Sequence, residues 1–324
     1  MTMFDTLYRK LPVLLVAALL SACGGGGGGS SSTPSTPTTP VTPPQTSTCV
    51  TSTPGVPVAT GDTAKDGFNW FNYRRAAIGL TMLSCNQMLM TAAAGHSNYL
   101  MLNNVVSHDQ VSGNPGFTGL HVSDRMAAAG YILNAPYAYG EVISAVSDRS
   151  GSTHAEELIA AIYHRFIIFE PKFKEMGSGA ATRSDGYTYF TTDMAATNGL
   201  AAGLGLGKIV VYPYDGQTSI PTSFDSDTES PDPVPNQNTV GYPVSVHADI
   251  TATITVTSFT IKPHSGLQMS TRVVSNTDED PAGRLHAVAI VPLAVLSPGT
   301  TYDVSFSGTV DGTAVTKNWS FTTK

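Results

Sequence analysis

The chain has 324 residues, of which 41% are hydrophobic and 13% are charged. Its formal net charge of -7 and its pI of about 5.5 exclude the basic balance typical of nucleic-acid-binding proteins, so no nucleic-acid partner is expected. The length is more than one ordinary domain uses and predicts two hydrophobic cores.

The first residues have the pattern of an export signal. Arg9 and Lys10 precede an apolar run over 11–20 that is too short to span a bilayer comfortably, which predicts a signal peptide over 1–22. Leu-Ser-Ala-Cys at 20–23 resembles a bacterial lipobox. The resemblance implies a lipid anchor on Cys23, in the outer membrane of a Gram-negative bacterium, on either its periplasmic or its surface face. An ordinary cleaved signal and a weak membrane helix are the alternatives.

Residues 23–64 have the composition of a tether. Six consecutive glycines at 24–29 are followed by a Ser/Thr/Pro-rich tract through Pro44, with almost no apolar side chains to pack. We expect this segment to be disordered, with a reach on the order of 50 to 100 Å that holds the rest of the chain off its membrane.

Cysteine usage agrees with export. With Cys23 used for the lipid, Cys49 and Cys85 remain, and an oxidising compartment favours a disulfide between them. Closing that loop would stabilise the fold by about 4 kcal/mol in the chain-entropy model. The alternative, a buried free thiol at Cys85 with an exposed Cys49, stays open.

Helical patterns dominate the segment 65–207. Apolar spacing predicts a helix over 89–104, a second helix over 125–129 capped by Ser123 and Asp124, and a third that begins with a capping box at Thr153. Strand patterns follow at 187–194 and 208–212. Helices flanking a small antiparallel sheet is the predicted arrangement, with His108 just past the first helix and His164 on the third.

An ordered set of short motifs in this segment resembles the bacterial branch of the CAP superfamily, also called SCP-like extracellular domains. The resemblance spans roughly residues 66–200 and implies an α/β/α sandwich with a large central cleft. The overall expectation is therefore an α+β chain, with a CAP domain over 65–207. The motifs are His96-Ser97, Ser107-His108, Arg125 with Ala129-Gly130-Tyr131, Gly140-Glu141, His164-Arg165 and Gly177-Ser178-Gly179.

The resemblance also implies a cleft site. Position by position, it assigns His108, Glu141 and His164 to the cleft, where typical members place two His and two Glu that can hold a divalent metal. The second Glu has no secure counterpart in this chain. Glu156 and Glu157 stand one to two turns before His164 on the predicted helix and are the candidates for an additional carboxylate.

Two neutral imidazoles and one carboxylate suit Zn²⁺ or another divalent cation and leave a coordination position open for water. The alternative is a structural cluster in which the same side chains hydrogen-bond one another and hold the loops together. Among the other histidines, the pattern predicts a core position for His96 and surface positions for His121 and His154.

The remainder, residues 208–324, predicts an all-β sandwich, because short alternating runs are separated by Pro/Gly turns. Its C-terminal motifs resemble bacterial Ig-like repeats. The segment 225–235 contains several acidic residues. A calcium site needs converging oxygens, so a solvated loop is favoured there. Those acidic residues are Asp225, Asp227, Glu229 and Asp232.

Three functions remain open from the sequence, and whether the protein is an enzyme is undecided. The first is an envelope-anchored binding protein whose partner is an envelope polymer, a lipid or a protein. The second is a metal-dependent hydrolase of envelope polymers or peptides. The third is a lipid-binding protein, with a cleft lining drawn from Met101, Met126, Tyr137 and Tyr139.

Overall fold

The computed structural model describes residues 55–278 and 284–324. The predicted signal peptide, the lipidation site Cys23, the tether as far as residue 54 and the cysteine Cys49 lie outside the described residues. Cys85 is disulfide-bonded. Within 55–278 and 284–324, none of the helices combines the length and apolarity needed to cross a membrane.

The first part of the chain contains five helices and a four-stranded sheet. The sheet has the order β1-β3-β4-β2, and its pairs are antiparallel except for the parallel pair β1–β3. Its strands are β1 (Ser84–Cys85), β2 (Ala138–Val146), β3 (Glu175–Thr182) and β4 (Thr188–Ala196). The helices are α1 (Thr63–Ala77), α2 (Gln87–Asn103), α3 (Val122–Ala128), α4 (Gly151–Ala160) and α5 (Ile162–Ile168).

The helices lie on both faces of this sheet. Neighbouring residues of a strand point to opposite faces, and on β4 the ring of Phe190 packs against Phe71 of α1, whereas Thr191 accepts a 2.9 Å hydrogen bond from Ser97 of α2. On β2, Ser144 contacts His154 of α4 on the Phe190 face. The result is the predicted α/β/α layering, with α1 and α4 on one side and α2 on the other.

Two predicted helix starts are wrong by a few residues. The third predicted helix begins at Gly151, because the Ser150 hydroxyl accepts from the Thr153 amide, so Thr153 lies inside the first turn. That helix is also interrupted at Ala161, whose extended backbone separates α4 from α5. The second predicted helix starts at Val122, which places Ser123 inside the helix rather than at its cap.

Glycines at three motif positions let helices approach the sheet. A Cβ on Gly177 would lie 2.1 Å from the Met90 nitrogen, and one on Gly179 would lie 2.2 Å from the Ala94 nitrogen, so α2 can pack on β3 only without side chains there. Gly140 has the same role on the opposite face, where a Cβ would meet Ile167 of α5 at 2.6 Å. The Gly-x-Gly and Gly-Glu motifs therefore encode helix–sheet contact.

The second part of the chain is all β, as predicted. Two four-stranded sheets, in the orders β10-β13-β14-β6 and β11-β12-β9-β5, bury side chains in one shared cluster, and β7 with β8 forms a separate hairpin. The strands are β5 (Val210–Tyr212), β6 (Gln217–Ile220), β7 (Ser223–Asp225), β8 (Thr239–Gly241), β9 (Val244–His247), β10 (Ile254–Pro263), β11 (Thr271–Ser275), β12 (Ala287–Pro292), β13 (Thr301–Val310) and β14 (Thr313–Thr323).

The hydrophobic core runs without interruption across residue 208. One cluster of buried side chains includes Phe68 and Leu158 from the helical part together with Tyr212, Val304 and Trp319 from the β part. A second cluster joins α5 to the β part. The two parts therefore support each other through packing rather than only through the chain that links them.

The close approach of α2 to β3 yields a stability prediction. Gly179→Ala should lower the free energy of unfolding by about 1 to 3 kcal/mol, because the new methyl group would overlap the α2 backbone. Gly95→Ala, in the middle of α2, is the matched control. A Cβ there meets Thr118 at an ordinary 3.4 Å, so helix propensity should make it neutral or stabilising by up to about 1 kcal/mol. Chemical denaturation measures both, and equal effects would contradict the packing argument.

Candidate functional site

His108 is held in a loop that folds back on α2. The loop follows Asn104, the left-handed residue that caps the C-terminus of α2, and is fastened by His96, whose Nε2 lies 2.9 Å from the Ser107 carbonyl oxygen. The Gln110 side chain lies 2.9 Å from Nδ1 of the same histidine. These contacts fix the backbone on either side of His108.

Glu141 on β2 orients the His108 ring from below. Its Oε1 lies 2.9 Å from His108 Nδ1, and its Oε2 accepts a 2.7 Å hydrogen bond from Arg125 of α3. Arg125 also donates to the His108 carbonyl oxygen at 2.8 Å, so one guanidinium fixes both the carboxylate and the loop. The sequence analysis placed Arg125 in a motif with Ala129-Gly130-Tyr131 but did not assign it to the cleft site.

The pKa of Glu141 depends on the charged and titratable side chains around it. Burial by itself would raise the pKa of Glu141, but the nearby Arg125, His96 and His108 hold it below its ordinary value, so the carboxylate is ionised. Burial lowers the pKa of His96 to about 4, which leaves this fully buried histidine neutral at pH 7. His96 is thus a hydrogen-bonded core residue.

His108 differs from its neighbours in exposure. Its side chain is 54% exposed, whereas those of Glu141 and Arg125 are both 1% exposed. With Nδ1 directed at Glu141, the other ring nitrogen, Nε2, has no hydrogen-bond partner among the residues that the structure describes. The His108 imidazole therefore faces solvent while the buried, charged side chains of Glu141 and Arg125 hold its orientation.

Asp193 is a site residue that the sequence analysis missed. It lies opposite Glu141 in the β2–β4 ladder and is almost fully buried, and neither carboxylate oxygen receives a hydrogen bond from a described residue. Burial and the negative charge of Glu141 raise the pKa of Asp193 well above its ordinary value. Asp193 lies two residues after Thr191 on β4, so both side chains are on the sheet face that α2 covers. That strand spacing is the signal that could have indicated its position.

His164 lies elsewhere, on α5. Its Nδ1 is 3.0 Å from Oε1 of Glu229, a residue of the β part, and its side chain is 20% exposed. The sheet explains the separation. Gly140 faces α5, and the next residue, Glu141, therefore points to the opposite face. The structure brings His108 and Glu141 together and pairs His164 with a different carboxylate.

The two candidate additional carboxylates are engaged on other elements. Glu156 accepts from the Trp70 indole and lies 2.5 Å from Arg74 Nε, both on α1. Glu157 accepts a 3.1 Å hydrogen bond from Ser144, and burial raises its pKa. Ser144 also contacts His154, which is fully buried, so the predicted surface position of His154 is wrong.

A resident metal does not fit the arrangement described. Within 55–278 and 284–324, no group of three or more His, Cys, Asp or Glu side chains is placed to hold an ion. His108 with Glu141 and His164 with Glu229 are separate two-residue pairs, fewer ligands than a zinc site uses.

The fold of this part of the chain is an α/β/α sandwich. Residues 68–194 match the family model described as CAP, Cysteine-rich secretory protein family, and this part of the chain is a CAP domain. Among curated proteins, no significant sequence match was found.

Three solved structures resemble this chain. An extracellular protein containing an SCP domain from Bacillus anthracis str. Ames is 21% identical, with a TM-score of 0.35, over 43% of this chain and 44% of that one. The outer surface protein from Borrelia burgdorferi is 13% identical, with a TM-score of 0.36, over 44% and 97%. Venom allergen-like protein 4 of Schistosoma mansoni is 10% identical, with a TM-score of 0.29, over 43% and 89%. The chain thus spans less than half of the Bacillus protein.

The raised pKa of Asp193 yields a pH prediction. Because its pKa is raised in the folded state, its contribution to stability is present below its ordinary pKa and is lost as the pH rises towards the folded value. Asp193→Asn cannot ionise and should raise Tm at pH 7, with a gain that shrinks towards pH 4. Thermal unfolding of this variant and of the exposed control Asp227→Asn measures the effect. A gain that is independent of pH would contradict it.

The two separate histidine pairs yield a metal-binding prediction. In calorimetric titration of the protein with Zn²⁺, we expect no stoichiometric binding that depends on both His108 and His164. His108→Ala and His164→Ala are the test variants, and His264→Ala, on the exposed surface of the β part, is the control. One-to-one binding abolished by both test variants and kept by the control would show that the two histidines share an ion in solution.

Proposed function

We propose that this chain is an exported CAP-domain protein, anchored in the cell envelope, that binds a protein partner through the surface around His108. The observation that carries the proposal is the exposed His108 imidazole above the buried Glu141–Arg125 ion pair. Such a pair fixes the direction of the ring before any ligand arrives, which reduces the cost of ordering on binding. Export is supported by the secretory family of the matching model and by the lipobox-like residues before Cys23.

Several exposed apolar residues lie close to His108 in the sequence. Large hydrophobic residues that point into solvent are concentrated in and beside the loop that carries His108, and apolar side chains beside a few directed polar groups are typical of protein interfaces. The Arg125 guanidinium joins this loop to the start of α3, because it donates to the carbonyl oxygens of His108 and Leu120. The exposed apolar residues are Leu102, Val106, Val111, Phe117 and Leu120.

The chemistry of His108 indicates what the partner must offer. Because Nδ1 faces Glu141, Nε2 is the ring nitrogen that a polar group of the partner would bind. Apolar side chains of the partner would cover the exposed residues of the loop. The complementary surface is therefore mainly apolar with one central polar group.

The other two functions have weaker support. A metal-dependent hydrolase needs an ion held by several ligands, and the described residues provide only pairs. A lipid cleft needs free lining residues, but Met126 and Tyr139 are buried in one core cluster, and Tyr137 packs against them. Met101 packs against a different cluster. Neither alternative has an observation in its favour.

Photo-crosslinking in the native envelope tests the binding proposal. A benzophenone amino acid placed at Val106 should give a discrete crosslinked product, and His108→Ala in the same chain should reduce its yield at least severalfold. The same probe at Leu267, which is 90% exposed in the β part, is the control and should give no such product. The proposal fails if the Val106 product is absent or is unchanged by His108→Ala.

A further inference from the structure

A carboxylate from the β part closes the start of α5. Glu229 accepts hydrogen bonds from the backbone amides of Ile162 and Tyr163, both at 2.7 Å, and of His164 at 3.1 Å. Its Oε1 also lies 3.0 Å from His164 Nδ1. Four contacts therefore converge on one side chain, and they link the CAP domain to a residue 65 positions further along the chain.

Glu229 differs from the acidic residues around it. The sequence predicted a solvated acidic loop, and Asp225 and Asp227 are exposed as expected, but Glu229 is 3% exposed, so the prediction is wrong for this residue. Burying a carboxylate is costly unless hydrogen bonds and an opposite charge or dipole compensate for it. The three amides and the imidazole provide that compensation.

The segment that carries Glu229 connects the two strands of the β7–β8 hairpin. Residues 226–238, here called the strap, are fastened at their ends because Ser226 donates to the Asn238 carbonyl oxygen at 2.7 Å. Between these ends, buried Val234 packs in the cluster formed with α5. Thr228 and Ser230, on either side of Glu229, are exposed, so Glu229 is the main polar attachment of this stretch to the CAP domain.

The rest of α5 is fixed independently of the strap. Arg165 donates to the Pro243 carbonyl oxygen at 2.7 Å, and its guanidinium lies 5.0 Å from the ring centroids of both Tyr212 and Tyr242. Phe166 packs against the His247 ring of β9, with the ring centroids 5.8 Å apart. Movement of the strap would therefore uncover His164 while α5 stays in place.

We propose that the strap is a closing element that controls access to His164. In the closed state Glu229 occupies the Nδ1 side of the imidazole and the first amides of α5. Release of Glu229 exposes His164 to solvent and to ligands. The β part thereby regulates one histidine of the CAP domain, and this regulation is separate from binding at His108.

The test compares the reactivity of His164 in the full chain with and without Glu229. Diethylpyrocarbonate modification, mapped by mass spectrometry, should proceed roughly tenfold faster at His164 in Glu229→Ala, while His108 and His264 react at unchanged rates. Backbone hydrogen exchange at 162–164 should accelerate by a similar factor. Asp227→Ala, which removes an exposed carboxylate from the same strap, should change neither rate.

Three results would overturn the proposal. His164 could react in the wild-type chain as fast as the exposed His264, or Glu229→Ala could leave both rates at 162–164 unchanged. If the near-UV circular dichroism of Glu229→Ala is not native, Glu229→Gln, which keeps one acceptor oxygen, replaces it. An intermediate acceleration is then expected, and unchanged rates in Glu229→Gln would be the third contradicting result.

Discussion

The buried ion pair between Arg125 and Glu141 is the interaction on which the candidate site depends. Two charges at 2.7 Å, almost without solvent contact, are tolerated because each compensates the other and each makes further contacts with His108. Arg125 binds the His108 backbone, Glu141 binds the His108 ring, and burial together with the charge of Glu141 raises the pKa of Asp193 beside them. Removal of either charge would leave the other buried and unpaired, so the orientation of His108 is inseparable from the stability of this layer.

The second constraint is the sharing of α5 between the two parts of the chain. Its residue Ile167 packs on the CAP sheet at Gly140, while Phe166 packs against side chains of the β part. A short helix with apolar side chains on two sides is stable only if both sides are buried. The β part buries the side of α5 that the CAP sheet does not. The β part is therefore structural support for the CAP domain as well as a separate set of sheets.

Local patterns were enough to predict much of this fold. Helical spacing located α2, and strand alternation located β4 and the main strands of the β part, because these patterns depend only on neighbouring residues. The resemblance assigned His108, Glu141 and His164 to one cleft, whereas the structure brings only His108 and Glu141 together. The contact between Glu229 and His164 joins residues 65 positions apart and has no local pattern, so it could not be predicted. The burial of His154 likewise depends on Ser144, on another element.

Because side chains alternate along β2, the two motif histidines lie on opposite sides of the sheet. Because Gly140 and Glu141 are adjacent, they face opposite sides of the sheet, and the helix that packs on Gly140 cannot share the Glu141 side. Each histidine therefore finds its own carboxylate: His108 is 54% exposed above Glu141, and His164 is 20% exposed beneath Glu229. The same imidazole–carboxylate pairing leaves the ring exposed where the carboxylate lies in the neighbouring strand, and covers the ring where the carboxylate comes from a later segment.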